Sequence, residues 1–349
     1  MMNPLKNIGF SPLWLILIFC SLYLSGCEKN NASVVPPENL TPITFATTRF
    51  IGEAPTYVAY EKGFFRDEGL DVTLKINIMG WQSLKNLLDG EADIATVAEL
   101  PIVYTAFDKK KFTAEERGDF VIFGELVLSN QGSQQILARR DRSIETPADL
   151  RGKKVAVPRG TTVDFFLDAV LTEFRVDPTE VELVNMDVIA QVDAIVKGDV
   201  DAIFSWQPHI RNAQMQLEDI ANLLQLNLYY HTAWVLTAMK DRAQKNPESL
   251  EAVLRALARA KKFMADHPQE AIKIHSRYAE VEQEVTAELW EGVEYEVFLS
   301  ESLLTTMEDQ ARWLIKMGNT DQKLVPDFSK YLDLGPMKKV RPEGIMIIQ

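Results

Sequence analysis

Cysteine is almost missing from this sequence: two in 349 residues, Cys20 and Cys27, both near the start. No thiol follows position 27, so the body of the chain has no disulfide scaffold, no thiolate nucleophile and no cysteine-based metal site. Histidine is also sparse, with four residues at 209, 231, 267 and 275. His267 and His275 are not the i, i+4 pair that binds zinc from one helix face. Basic charge is outweighed, with 37 Lys+Arg against 50 Asp+Glu and a net charge of -13. That balance excludes nucleic acid as a partner, because such affinity rests on cations neutralising phosphates. No apolar run reaches the ~20 residues that a membrane-spanning helix needs. No G-x-S-x-G, P-loop or H-E-x-x-H motif occurs either.

What is present is an ordinary globular composition, 46% hydrophobic and 25% charged, in a length that suits two domains. Residues 1–26 read as a signal peptide. Lys6 gives a basic start, and Leu13 to Leu24 (LWLILIFCSLYL) is a 12-residue apolar stretch. Leu24-Ser25-Gly26-Cys27 resembles the lipobox of bacterial lipoproteins. That resemblance implies cleavage before Cys27 and palmitate-type acylation of its sulfur. Without it, the stretch reads as an ordinary signal peptide or a buried N-terminal helix. Residues 27–42 add a polar, Pro-containing tether.

An internal echo organises the rest. Asn77 and Asn185, Gly52 and Gly160, Gly90 and Gly198, and Asp93 and Asp201 are all separated by the same offset of 108. LLDGEADIATVAELP (87–101) parallels IVKGDVDAIFSWQP (195–208). In the first copy strands are expected at 43–48, 71–78 and 93–98, with helices over 56–65 and 81–88 and another entered near Pro101. In the second, strands are expected at 154–158, 181–186 and 201–206, with helices over 161–174 and 188–196, then Pro208. Strands alternating with helices predict an α/β protein of two lobes, each a parallel-rich sheet flanked by helices. Beyond a strand at 233–239, helices are expected over 248–265, 286–299 and 302–317, packing back on the first lobe.

GFFRDEGLDVTL (63–74), ADLRGKKVAV (148–157) and GDVDA (198–202) resemble segments of the periplasmic substrate-binding proteins for sulfonates, nitrate, taurine and thiamine precursors. The resemblance spans about residues 43–275. It implies a type II periplasmic binding protein fold that closes by a hinge on one solute. Lobe 1 would take 43–128, lobe 2 would take 129–228, and 229–349 would return to lobe 1 and form the C-terminal helices. It further implies a lipid-anchored monomer on the periplasmic side of a bacterial membrane or at the cell surface. Its partners would be an ABC permease and ATPase, and it would need no cofactor or metal. An enzyme of the same fold makes the thiamine pyrimidine, but that type carries a Cys-rich iron-binding segment with no counterpart here. A sensory or structural lipoprotein of this fold remains a further alternative.

Ligands of open α/β sheets bind beyond the carboxyl ends of strands. The loops at those ends hold Arg49, Gly52 and Glu53, then Gly80, Trp81 and Gln82, then Glu99. In the second copy they hold Arg159, Gly160, Thr161 and Thr162, then Asp187, then Trp206 and Gln207. The expected ligand set is Arg49, Glu53, Trp81, Gln82, Glu99, Gly160, Thr161, Thr162, Asp187, Trp206 and Gln207. The Gly-Thr-Thr turn suits an anion at a helix start, though Thr there also serves as a plain cap. The two indoles suit a flat or apolar ligand. Glu53 and Glu99 lean toward an amine or aminopyrimidine, unless they are carboxylates at solvated helix starts. Tyr229, Tyr230 and His231 are expected to pack the hinge.

Overall fold

Strand and helix alternate through the chain, and the strands sort into two mixed sheets. The computed structural model describes residues 39–108, 119–130 and 132–347, so Cys27 and the leader lie outside the described residues. In the first copy, β1 (Thr41–Thr48) leads through a short 3-10 turn into α1 (Ala54–Glu61) and α2 (Phe64–Asp67). β2 (Leu70–Asn77), α3 (Gly80–Leu88), β3 (Ile94–Ala98) and α4 (Glu99–Phe107) follow. β4 (Phe120–Asn130) ends this part.

The second copy opens with β5 (Gln134–Arg139) and β6 (Lys154–Val157). It continues through α5 (Thr162–Glu173), β7 (Glu182–Asn185), α6 (Val188–Lys197), β8 (Ala202–Trp206), α7 (His209–Leu217) and β9 (Ala221–Leu223). The remainder is β10 (Trp234–Met239), α8 (Lys240–Lys245), α9 (Pro247–Asp266), α10 (Pro268–Ala279) and α11 (Gln283–Trp290). After these come β11 (Val293–Ser300), α12 (Glu301–Lys316), α13 (Gly335–Val340) and β12 (Ile345–Met346).

The larger sheet has seven strands in the order β12-β11-β4-β10-β3-β1-β2, and the smaller has five in the order β7-β6-β8-β5-β9. Within each copy the strands run parallel: β2, β1 and β3 in one, β7, β6 and β8 in the other. One strand in each sheet that receives the crossing chain runs antiparallel to these: β10 in the larger, set between β3 and β4, and β5 in the smaller. The sheets are therefore mixed, because a chain that crosses over and returns must reverse direction at each sheet's junction edge.

Period-2 alternation is clean in the smaller sheet. Ile136, Ala138, Val155, Val157 and Phe204 face one buried cluster with α5, while Leu137, Ala156 and Ile203 face the other with α6 and α7. In the larger lobe one continuous core joins Phe45, Tyr57, Leu84 and Phe123 to Leu250, Leu254 and Leu257 of α9 and to Leu314 of α12. The segment 63–69 is tied to α9. Arg255 bonds Glu68 at 2.6 Å, Arg259 bonds Asp67 at 2.7 Å, and the Arg259 guanidinium lies 4.5 Å from the Phe64 ring centroid. That motif therefore builds the lobe.

Two expectations change. The helix expected over 286–299 stops at Trp290, and Val293–Ser300 is a strand paired antiparallel with β4. Val-Glu-Tyr-Glu-Val-Phe-Leu is β-branched and aromatic at alternate positions, which suits a half-buried strand better than a helix face. The match of Gly52 with Gly160, each just after its copy's leading strand, does not extend to backbone conformation. Gly160 has a φ of 78°, whereas Gly52 sits in the 3-10 turn without a positive φ. The other matches are structural. Gly90 and Gly198 end α3 and α6 with φ of 73° and 79°. Asp93 accepts the N–H of Thr44 at 2.7 Å, and Asp201 accepts that of Lys154 at 2.8 Å, so each holds its lobe's leading strand. Among the described residues no helix is long and apolar enough to cross a membrane.

Candidate functional site

A cleft partly open to solvent lies between the two sheets and takes residues from both. The larger lobe supplies Arg49, Phe50, Met79, Trp81, Ala98 and Pro101, and the smaller supplies Gln134, Thr161, Thr162, Trp206 and Gln207. Thr232 and Trp234 come from the returning segment. Six of the expected residues thus meet here: Arg49, Trp81, Thr161, Thr162, Trp206 and Gln207.

The others do not line this cleft, and each has a local occupation. Glu53 is wholly buried, accepting from the Thr48 N–H at 3.1 Å and from the Thr96 hydroxyl. Burial raises its pKa above the usual carboxylate range, against the pull of hydrogen bonds from Thr96, Thr47 and Thr48. The carboxylate at a solvated helix start is corrected by that burial. Glu99 is likewise wholly buried, accepting from the Tyr230 hydroxyl and from Gln310 at 2.9 Å, and burial pushes its pKa up to about 7. Gln82 turns back on its own helix start, accepting the N–H of Met79 at 2.9 Å. Asp187 caps α6 through the N–H groups of Ile189 and Ala190, both at 3.0 Å. Gly160 belongs to an adjoining hollow that also holds Trp81, Arg159 and Asp164, where Arg159 pairs with Asp164 at 3.3 Å.

Several lining residues were outside the expected set: Phe50, Met79, Ile189 and His209 lie in or beside the strand-end loops, whereas Gln134, Thr232 and Trp234 do not. Two of them have one cause. Gln134 and Trp234 are the first residues of β5 and β10, which run antiparallel to their neighbours. A reversed strand brings its beginning to the edge where parallel strands bring their ends. Gln134 accordingly lies opposite Trp206, and Trp234 opposite Ala98. The signal in the sequence was the strand 233–239 itself, had its direction been known.

The walls are mostly apolar and aromatic. Trp81 and Trp206 are half-buried, and Trp234 packs against Phe50 with ring centroids 4.9 Å apart. Among the described residues that line the cleft, Arg49 is the only formally charged side chain, and its guanidinium bonds Glu280 at 2.6 Å. His209 is kept neutral, since burial lowers its pKa to about 4. Positive potential instead comes from backbone. The starts of α3, α4, α5, α6 and α7 all contribute lining residues, and helix starts carry partial positive charge. At α5 the Thr161 hydroxyl donates to the Pro158 carbonyl at 2.6 Å and does not cap the helix. The simple capping role for that Thr therefore fails, and although the Asp164 N–H bonds the Thr161 carbonyl at 2.9 Å, the Thr161 side chain leaves the start of α5 to another acceptor.

A cleft between two α/β lobes, joined by two crossings and lined from both, defines the two-lobed periplasmic binding protein fold. The NMT1/THI5 like family model matches residues 52–271, and the chain belongs to that family. A putative binding protein of Brucella abortus (strain 2308) is 23% identical over 235 residues, 66% of this chain and 69% of that protein. A putative aliphatic sulfonates-binding protein of Bacillus subtilis (strain 168) is 22% identical over 338 residues, 94% of this chain and 96% of its own. The crystal structure of the periplasmic aliphatic sulphonate binding protein SsuA from Escherichia coli superposes with a TM-score of 0.71 at 18% identity. It covers 83% of this chain and 97% of that one.

Proposed function

We propose that this chain is the solute-binding component of an ABC importer, taking a small organic sulfonate into the cleft and closing on it by a hinge. The observation that carries the reading is the uncapped start of α5 facing an apolar cleft, with Arg49 as the one lining cation. Backbone N–H groups at a helix start satisfy a sulfonate's oxygens, and the indoles cover its organic part. The sulfonate-binding relatives support that class. Binding energy drives closure only through contacts that the open form lacks, and walls drawn from both lobes provide such contacts.

A second reading has its own support. Trp81, Trp206 and Trp234 around one space also suit a flat nitrogen heterocycle of the thiamine-pyrimidine kind. Isothermal titration against alkane- and arylsulfonates, nitrate and aminopyrimidines separates the two. Sulfonate binding supports the first, and pyrimidine binding alone replaces it.

We infer further that the protein works as a monomer on the periplasmic side of a membrane, held by lipid on Cys27. Cys27→Ser is expected to release it into the soluble fraction. Retention of that variant on membranes would remove the lipid anchor from the account. Docking on a permease and its ATPase, without catalysis of its own, completes the proposed role.

A further inference from the structure

Gln134 stands at the floor of the cleft with an unfinished set of hydrogen bonds. Its side chain is buried, at 7% exposure. Its Nε2 donates to the Thr162 hydroxyl at 3.2 Å and to the Thr232 hydroxyl. Its Oε1 is also buried and has no partner among the described residues. Buried carboxamide oxygens are nearly always paired, so an unpartnered one on a residue that lines a ligand cleft asks for a donor from the ligand. Gln134 also borders a second hollow behind the crossings, but no group there bonds its Oε1.

Three neighbours fix where that donor lies. Trp206 faces Gln134 across the antiparallel β5/β8 pair, so indole and carboxamide share one sheet face. Thr162 is the first residue of α5, so the floor acceptor lies next to the helix start that would receive the acid. Thr232 lies on the returning segment, so the amide is held from both lobes. The donor must also be uncharged. Among the described residues no carboxylate lines the cleft, because Glu53 and Glu99 are withdrawn into their own bonds, and a buried ammonium there would have no counter-charge from them.

We propose that Gln134 is a specificity-determining residue, selecting acidic ligands with a flat apolar body and a neutral N–H or O–H donor over ligands that lack the donor. This rests on the sulfonate reading above and narrows it.

The test is titration of the full-length protein with benzenesulfonate, 4-aminobenzenesulfonate and 4-(dimethylamino)benzenesulfonate. These share one acid and one ring and differ in the N–H. Wild-type protein is expected to bind the amino compound about tenfold or more tighter than either of the others. Gln134→Met should abolish that preference, with the amino compound losing about tenfold more affinity than benzenesulfonate does. The wild-type comparison needs no variant to fold, and a melting curve checks the Met variant. Equal binding of the amino and unsubstituted compounds overturns this inference and leaves the sulfonate reading standing. So does tightest binding of the dimethylamino compound, or a preference that survives in Gln134→Met. Binding of none of the three overturns this inference, and the alkanesulfonate titration then decides the sulfonate reading separately.

Discussion

Asn130 holds the peptide backbone of Thr232 from both sides. Its Oδ1 accepts the Thr232 N–H at 3.1 Å, and its Nδ2 donates to the Thr232 carbonyl at 3.0 Å. Asn130 ends β4, where the chain leaves the larger sheet, and Thr232 precedes β10, where it returns. Two segments remote in sequence are thus paired by one buried carboxamide, at the place where the lobes join.

Asn130→Ala is therefore expected to destabilise the protein by about 2–3 kcal/mol, since it leaves a buried N–H and C=O unpaired. Urea denaturation followed by tryptophan fluorescence measures this. An unchanged midpoint would show that the two crossings are held by other contacts.

Trp206 is half-buried at the end of β8, with its ring against His209 at 6.1 Å between centroids. Trp206→Ala should weaken ligand binding roughly tenfold or more while shifting the ligand-free melting temperature little. Unchanged affinity would move the ligand away from this strand end.

Arg49 and Glu280 are both partly exposed, so their ion pair contributes little to stability. Its consequence is for the ligand, because Glu280 neutralises the one cation that lines the cleft. Glu280→Gln should tighten binding of an anionic ligand a few-fold, roughly 1 kcal/mol or less, and Arg49→Met should weaken it. The gain should shrink in high salt. A Glu280→Gln variant that binds no better would place the acid group away from Arg49.

Glu99 carries a pH prediction. Burial pushes its folded pKa up to about 7, from a usual value of 4.5, so the folded state holds its proton over a range where the unfolded chain has lost it. Stability from this group is present below about pH 4.5, declines as pH rises toward about 7, and stays reduced above that. Glu125, raised by burial to about 8, acts with the same sign. Glu99→Gln should flatten the decline between pH 5 and about 8 and leave the variant relatively more stable at the upper end. A melting-temperature series across pH reads it, and parallel wild-type and variant curves would mean Glu99 does not titrate in that window.

Much of the fold was legible because its signals are local. Strands of alternating apolar residues and helices with one apolar face follow from backbone period, and Gly90, Gly198, Asp93 and Asp201 mark equivalent turns and strand anchors in two copies. The stretch 293–299 reads as helix because a short apolar run next to a helix carries both periods, and only pairing with β4 decides between them.

The candidate site was about half legible, and the division has a physical basis. Strand-end loops that hold Trp81, Thr162 and Trp206 follow from element order alone, which the amino-acid sequence by itself determines. Strand direction and side-chain partner choice are settled only when distant segments meet. The reversed strands carried Gln134 and Trp234 to the cleft, and buried partners such as Thr96, Tyr230 and Gln310 drew Glu53 and Glu99 away from it. Local periodicity encodes which elements form, but a hydrogen bond between residues 43 or 211 positions apart exists only in the assembled tertiary structure.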